Sequence, residues 1–478
     1  MTSLTSPARP PAAGLSPRQW ALLLVLAANM LVDALEVSVV VVALPAIGTD
    51  LNLGPASAQW TLTGFATGFG GLMLFGGRVV ERYGRRRVYL AALLVFAAAS
   101  LLAGAAQGPE LLLATRLVKG FCAALTAPTG LAIIGATFPE GPARGRAVSV
   151  YSLFGVGGFT LGLLLSGALT DVNWRWAMAF PAPLVLLLFL VARPLVPADP
   201  PGRAAPARLG TTAALTLTGG LLALVYALAH GTRDGWDGVR VMGGALVGAA
   251  LLAVFRRAER ASPQPLVPAG AATRPAMARS ALGAAAMNGS YLGLLLVLTF
   301  QFQTRWGWSP WHAALALLPA ALPPAATALL SGRMVARFGA PRLIAAGAAV
   351  TFLGHALYLG HGVPTSYARD VLPTLLCVAA GFVLAFTALN MQATSGVPDA
   401  GRGTAVGVYQ TAVQLGAVLV PATAAALLPD PGAPASAAAG RPALVLVTAV
   451  GALGLLTALT GLRPRTGRAA RPDRKDLR

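Results

Sequence analysis

Apolar segments of about twenty residues recur along the whole chain, and they restrict its fold more than any other feature. The first, residues 20–47, is almost unbroken. Only 11% of all residues are charged, against about 25% in a soluble domain. Because the apolar runs are continuous and do not alternate with polar residues, they exclude a porin-like barrel. The sequence therefore predicts an all-α integral membrane protein.

The same pattern predicts fourteen transmembrane helices, which we call spans 1 to 14. A span needs roughly 20 mostly apolar residues to cross the hydrocarbon core. Polar tails precede the first span and follow the last. The predicted spans cover residues 19–47, 59–79, 87–106, 110–137, 146–169, 176–194, 209–230, 239–256, 277–303, 311–331, 341–360, 371–395, 403–428 and 442–462.

The distribution of basic residues predicts the orientation of these spans. The net charge is +20, but the basic residues lie in short loops and not on a soluble domain, which argues against nucleic acid as a partner. If both tails are cytoplasmic, 28 of the 36 Lys and Arg residues lie inside, six lie outside and two lie within span 4. We therefore predict a multi-pass protein of the inner (plasma) membrane with both termini in the cytoplasm.

Two loops of the chain are similar to each other. The loop after span 2 reads GRVVERYGRRRV (77–88), and the loop after span 10 reads GRMVARFGAPRL (332–343). Six of their twelve positions are identical. The two loops are eight spans apart, which predicts two parallel six-helix halves separated by a two-helix insert. Parallel repeats of this kind characterise one large transporter fold.

Three motifs resemble the major facilitator superfamily, and in particular its fourteen-helix drug:proton antiporter branch. Residues 77–86 are similar to the loop signature of the family, with Glu81 where the family usually has Asp. LEVSVVVVALP (35–45) resembles the first-helix motif of the branch. RLVKG (116–120) resembles the fourth-helix motif, with Lys in place of Gln.

The resemblance implies a major facilitator fold with six-helix bundles at 19–194 and 263–462, a two-helix insert at 195–262, and cytoplasmic tails at 1–18 and 463–478. It also implies a proton-coupled secondary active transporter that works as a monomer. Such a protein would export a hydrophobic or cationic drug, or an antibiotic-like metabolite, by alternating access. Its partners would be the small-molecule substrate, protons and the lipid bilayer.

One segment departs from the family pattern. In the fifth-helix antiporter signature, at 158–167, Leu163 stands at the proline position and Ser166 at a glycine position. A proton-coupled importer of the same fold is therefore the alternative to an exporter, and a non-transporting scaffold or sensor is a third possibility. The sequence has no phosphate-binding loop, and its four histidines lack metal-like spacing. We predict no cofactor, no metal and no enzymatic activity.

Two acids, Asp33 and Glu36, lie near the middle of span 1, where a carboxylate is costly and usually functional. Their spacing places them on one helix face, as does that of Arg116 and Lys119 on span 4. Because the two spans are antiparallel, equal depths predict two ion pairs, Glu36–Arg116 and Asp33–Lys119. Burial favours a neutral acid and nearby cations favour an ionised one, so we predict that these four residues carry proton coupling. A static ion cluster is the alternative.

Two further sites follow from the resemblance and from the polar residues of the second half. The repeated loop implies a conformational latch, although positive-inside topology alone would also explain its arginines. Its residues are Gly77, Glu81, Arg82, Gly84, Arg85 and Arg86. Uncharged polar residues of spans 9, 12 and 13 predict a substrate site, with interhelical hydrogen bonding as the alternative. They are Asn288, Tyr291, Gln301, Asn390, Gln392, Gln410 and Gln414.

Overall fold

The computed structural model describes residues 15–199, 209–231, 235, 237–267, 274–361, 364–429 and 440–462. Within these residues the chain forms helices joined by turns and contains no strand, which confirms the all-α class. Two one-turn π-helical segments, Gln301–Arg305 and Tyr367–Val371, directly follow α11 and precede α15. The α-helices are α1 (Pro17–Asp50), α2 (Pro55–Ala58), α3 (Trp60–Tyr83), α4 (Arg85–Gly104), α5 (Pro109–Thr137), α6 (Pro142–Val172), α7 (Trp174–Ala179), α8 (Pro181–Leu195), α9 (Thr211–His230), α10 (Val239–Ala261), α11 (Pro275–Phe300), α12 (Pro310–Thr327), α13 (Ser331–Phe338), α14 (Ala340–Gly360), α15 (Leu372–Thr394), α16 (Asp399–Ala426) and α17 (Arg441–Thr460).

Local sequence signals set the beginnings of many helices. Ser16 and Gln19 form a capping box at the start of α1, in which the Ser16 hydroxyl accepts from the Gln19 amide at 3.3 Å and the Gln19 side chain accepts from the Ser16 amide at 2.9 Å. Proline stands in the first turn of α5, α6 and α11, where its missing N–H costs no helical hydrogen bond. Such signals mark where one helix begins after another in a chain whose apolar segments are otherwise nearly continuous.

The number of membrane-spanning helices agrees only roughly with the predicted fourteen. Among the described residues, twelve helices are long and apolar enough to cross a membrane, and α12 with α13, bent by 72°, makes a thirteenth. The remaining predicted span corresponds to α3, which has 24 residues. Glycine and threonine dilute its apolar content. These small residues are buried between neighbouring helices, so α3 does not need a strongly apolar surface.

The helices pack in two similar sets. In the first, α1 packs against α6, α3 against α5, and α4 against both α5 and α8. In the second, α11 packs against α16, α12 against α15, and α14 against both α15 and α17. The pair α9 and α10 packs mainly on itself, and α9 also contacts α3 and α16. This pairing supports the division into two six-helix bundles and an insert, which we retain as a proposal.

The two sets meet along α6 with α12, α3 with α16, and α1 with α11. Small residues permit the close approach of α3 and α16, because a Cβ at Gly70 would lie 2.5 Å from the Cβ of Gln414. The Thr411 hydroxyl donates to the Gly70 carbonyl at 3.2 Å in the same contact. A larger residue at Gly70 would separate these helices.

The two ends of the helical assembly differ in composition. At one end, which we call the basic end, lie the loops around Gly84 and Gly339 and the first residues of α1. At the other, the tryptophan end, Asp50 accepts from the Arg175 guanidinium at 2.7 Å and from the Trp174 indole at 3.1 Å. Six of the seven described tryptophans lie toward the tryptophan end, namely Trp60, Trp174, Trp176, Trp306, Trp308 and Trp311. Aromatic rings cluster at this end, with the Phe302 ring 5.0 Å from Trp308 and 5.3 Å from Trp306.

Candidate functional site

A fully buried ion cluster lies between α1, α3, α4 and α5. We call Glu36, Arg116 and Lys119 the Glu36 cluster; all three side chains have 0% exposure. The Arg116 guanidinium donates to the Glu36 carboxylate and to the Glu36 carbonyl, the latter at 2.8 Å. The Lys119 Nζ lies 2.5 Å from the other carboxylate oxygen, Oε1. The sequence-based pairing of Glu36 with Arg116 is thus confirmed.

Neighbouring helices complete the enclosure of the two cations. Arg116 Nε donates to the Thr61 carbonyl of α3 at 2.8 Å, and its guanidinium lies 4.9 Å from the centre of the Phe65 ring. The Lys119 ammonium lies 5.1 Å from the centre of the Phe96 ring of α4. Ring faces attract cations, so both charges are stabilised on one side by Glu36 and on the other by an aromatic ring.

The predicted pair Asp33–Lys119 is wrong, because both cations are directed at Glu36. Asp33 instead accepts hydrogen bonds at Oδ2 from Asn29 Nδ2 at 3.1 Å and from the Thr126 hydroxyl at 2.8 Å. The four charged residues of spans 1 and 4 therefore form one ion cluster of three and one separate acid. Equal depth on the two helices did not determine the partner of Lys119, because a lysine side chain can reach a group one helical turn away.

The loop predicted as a latch is anchored by an acid that the sequence did not reveal. The Asp199 carboxylate accepts from the backbone amides of Arg85 at 3.1 Å and Arg86 at 3.2 Å, at the start of α4. Glu81 is 64% exposed, with Arg78 at 3.9 Å. Asp199 lies more than a hundred positions further along the chain, which is why the loop alone did not indicate it.

The second glycine of the repeated loop has a conformational role in both copies. Gly84 has φ +89° and Gly339 has φ +80°, backbone angles that residues other than glycine rarely adopt. Gly77 and Gly332, by contrast, have open space around them. The repeat therefore preserves a sharp turn between two helices at the basic end.

A cavity of about 440 Å³ opens at the basic end between α6, α12, α13 and α15. Its surface combines apolar side chains with a few hydroxyl and amide groups, and none of its described lining residues is charged. The polar members include Ser149, Ser152, Thr387 and Asn390. Phe382 and Phe386 line it with stacked rings 4.5 Å apart. Such a lining fits an apolar molecule with a few hydrogen-bonding groups.

Most of the predicted substrate-binding residues lie apart from one another in the structure. Asn390 lines the cavity, and Tyr291 lies beside it, with its ring 5.2 Å from Phe382 and 5.7 Å from Phe159. Asn288 donates to the Val413 carbonyl at 3.2 Å, and Gln301 accepts from the Tyr358 hydroxyl at 2.5 Å.

The other three predicted residues lie elsewhere. Gln414 is buried against Gly70 in the contact between α3 and α16, and Gln410 is half-buried one turn away. Gln392 faces a small gap beside Arg279, away from the cavity. The sequence analysis missed Ser149 and Ser152, although their spacing of three on one helix face was a readable signal.

Comparison with known proteins places this geometry in a family. A model described as Major Facilitator Superfamily matches residues 26–421. The chain belongs to the major facilitator superfamily. It is 36% identical over 407 residues to the puromycin resistance protein pur8 of Streptomyces alboniger, covering 84% of this chain and 80% of that protein. It is 34% identical over 405 residues to the cephamycin export protein CmcT of Amycolatopsis lactamdurans, covering 83% of this chain and 82% of that one.

A solved structure supports the fold. The crystal structure of a D-xylose-proton symporter is similar with a TM-score of 0.65 and 17% identity, covering 93% of this chain and 97% of that one. As a major facilitator, the protein is a multi-pass membrane transporter of small molecules and not an enzyme, and its relatives named for resistance and export support a place in the drug-efflux branch.

Proposed function

We propose that this transporter exports a hydrophobic, antibiotic-like compound across the plasma membrane in exchange for protons, as a monomer. Export is supported by relatives named for puromycin resistance and cephamycin export. Proton coupling rests on one observation, the pair of acids buried in α1, of which Glu36 is fully buried against two cations. Groups of this kind within a transporter's membrane core are usually functional.

The cavity at the basic end is the proposed substrate site. It has apolar walls and hydroxyl groups, and no charged residue lines it within the described part of the chain. A cationic substrate would gain little from such a surface, because unpaired charge is costly away from water. We therefore favour the hydrophobic part of the predicted substrate class. Tyr291, Phe382 and Asn390 are the residues expected to contact the substrate.

The proposed orientation places both termini, and thus the basic end, in the cytoplasm. The cavity then faces the cytoplasm while the aromatic stack around Phe302 closes the outer side, an arrangement suited to loading. Labelling from outside tests the orientation after the native cysteines, Cys122 and Cys377, have been replaced. A cysteine at Gly235 is expected to react and one at Ser262 is not. The reverse pattern would contradict the orientation.

The loop with Glu81 is proposed to latch the basic end in the opposite state. In the present state Glu81 is mostly exposed and has Arg78 of its own helix within 4 Å. Closure of the cytoplasmic side would bring this acid toward the second bundle. Gly84 and Asp199 would maintain the conformation of the loop. The proposed bundles are those predicted above, at 19–194 and 263–462.

Transport into inverted membrane vesicles tests the function, with puromycin as the first probe. An acidic vesicle interior is expected to drive puromycin uptake, and a protonophore is expected to stop it. Because Leu163 and Ser166 depart from the antiporter signature, a proton-coupled importer is the alternative. The Ser166 hydroxyl donates to the Val39 carbonyl of α1. An importer would instead lose puromycin from the vesicles under the same gradient. Uptake that ignores the gradient would contradict proton coupling.

A further inference from the structure

Asp33 makes polar contacts that are separate from the Glu36 cluster. Its hydrogen-bond partners, Asn29 of α1 and Thr126 of α5, are themselves buried. Tyr89 of α4, Cys122 of α5 and Tyr151 of α6 are buried in the same cluster as Val32, which precedes Asp33 in α1. Tyr89 and Tyr151 lie on the basic-end halves of their helices.

No cation is available to Asp33 among the described residues. Arg116 and Lys119 both contact Glu36, and Glu36 itself, three positions from Asp33 on α1, carries a charge of the same sign. A buried carboxyl group without a cation is stabilised by taking up a proton. Glu36, in contrast, contacts two cations, whose burial would be uncompensated without its negative charge.

The hydrogen bonds around Asp33 have a place for that proton. The Thr126 hydroxyl has one hydrogen, yet it lies 2.8 Å from Asp33 Oδ2 and 3.0 Å from the Cys122 carbonyl. If Asp33 is ionised, Thr126 can donate to only one of these two oxygens. If Asp33 is protonated, it donates to Thr126, which then donates to Cys122, while Asn29 still donates to Asp33.

Two further details indicate a route for the proton. Asp33 retains 3% exposure, whereas Glu36, Arg116 and Lys119 retain none. The Tyr89 hydroxyl is buried and has no hydrogen-bond partner among the described residues, although such groups normally find one. A hydroxyl that can both donate and accept, nearer the basic end than Asp33, is suited to pass a proton on through a water molecule.

We propose that Asp33, and not the motif acid Glu36, is the group that takes up and releases the transported proton, with Tyr89 on its path to the basic end. This assignment rests on the proposed proton-coupled function. Uptake adds one proton to the Asp33 carboxylate and changes the four charged residues from neutral to a net charge of +1. A buried net charge costs less where water reaches it. Protonation of Asp33 therefore favours the open state in which water reaches these residues.

Infrared difference spectroscopy of the purified, full-length protein tests the assignment without any substrate. The measured signal is the carboxylic-acid carbonyl absorbance gained between about pH 8 and pH 6, a window in which exposed carboxyls stay ionised. We expect the wild type to show it, Asp33→Asn to lose it entirely, and Asp33→Glu to regain it.

Other outcomes overturn the proposal. Absorbance that persists in Asp33→Asn, or that Asp33→Glu fails to restore while the protein remains folded, would assign the proton to another group. The spectroscopic result is independent of puromycin uptake, so failure of transport with an intact Asp33 signal would count against the proposed function alone.

Discussion

Helices α1 and α11 hold corresponding positions in the internal repeat but carry different chemistry. The offset between the repeated loops, from Gly77 to Gly332, pairs Asp33 with Asn288 and Glu36 with Tyr291. In α1 both positions are acids within the buried core. In α11 the same positions carry an amide that binds the Val413 carbonyl and an aromatic ring that packs against Phe382.

The partners of these positions differ in the same way. The cations Arg116 and Lys119 of α5 correspond, by the same offset, to Val371 and Thr374 near the start of α15. One set of helices thus concentrates charge in its centre, and the other presents neutral and aromatic groups to a cavity. We infer a division of labour, in which the first bundle handles the proton and the second provides most of the substrate surface.

The largest expected effect is the loss of Arg116. Arg116→Ala removes the guanidinium that contacts Glu36 and the Thr61 carbonyl, and breaking a buried ion pair costs about 3–5 kcal/mol. The comparison is Asn288→Ala in α11, at the position that corresponds to Asp33, which removes one interhelical hydrogen bond, worth about 0.6–1.7 kcal/mol. Denaturant unfolding in detergent compares the two. Equal losses in the free energy of unfolding would mean that the Glu36 cluster contributes no more to stability than the hydrogen bond of Asn288.

Moving the acid between the two helices is expected to abolish coupling. Asp33→Asn should remove proton-driven uptake while leaving puromycin binding, and adding Asn288→Asp should not restore uptake. The reason is that Thr126 of α5 corresponds, by the same offset, to Gly381 of α15, which has no hydroxyl to donate to an acid at position 288. Vesicle uptake with and without a pH gradient measures this. Recovery in the double variant would show that the two halves are interchangeable and would break the comparison.

A smaller effect is expected at the cavity. Phe382→Ala should weaken puromycin binding roughly tenfold, because an aromatic contact contributes about 0.5–1.5 kcal/mol beyond its area and 1.4 kcal/mol is tenfold in affinity. Phe338→Ala is the control, since Phe338 is exposed and does not line the cavity. Equilibrium binding to detergent-solubilised protein decides the matter. Equal affinities for both variants would place the substrate elsewhere.

The sequence predicted the all-α fold and the Glu36–Arg116 contact because both depend on local properties, namely apolar length and depth along a helix. It failed for Lys119, whose long side chain can reach a partner one turn away from its own level. Tyr89, Tyr151 and Asp199 were missed for another reason. Each becomes relevant only when distant segments pack together, and nothing in its own surroundings distinguishes it.

The smallest expected effect concerns the repeated loops, which differ at the same offset. Glu81 corresponds to Ala336, so the first loop carries an acid that the second lacks. Glu81→Gln should leave the free energy of unfolding nearly unchanged, because the side chain is mostly exposed and its contact with Arg78 is 3.9 Å long. It should nevertheless slow puromycin transport, because the proposed latch forms only when the basic end closes. Ala336→Gln is the matched control and should leave the rate as it is. Wild-type transport by Glu81→Gln would reduce the acid to a surface residue and leave only Gly84, which the second loop shares as Gly339, with a role in the turn.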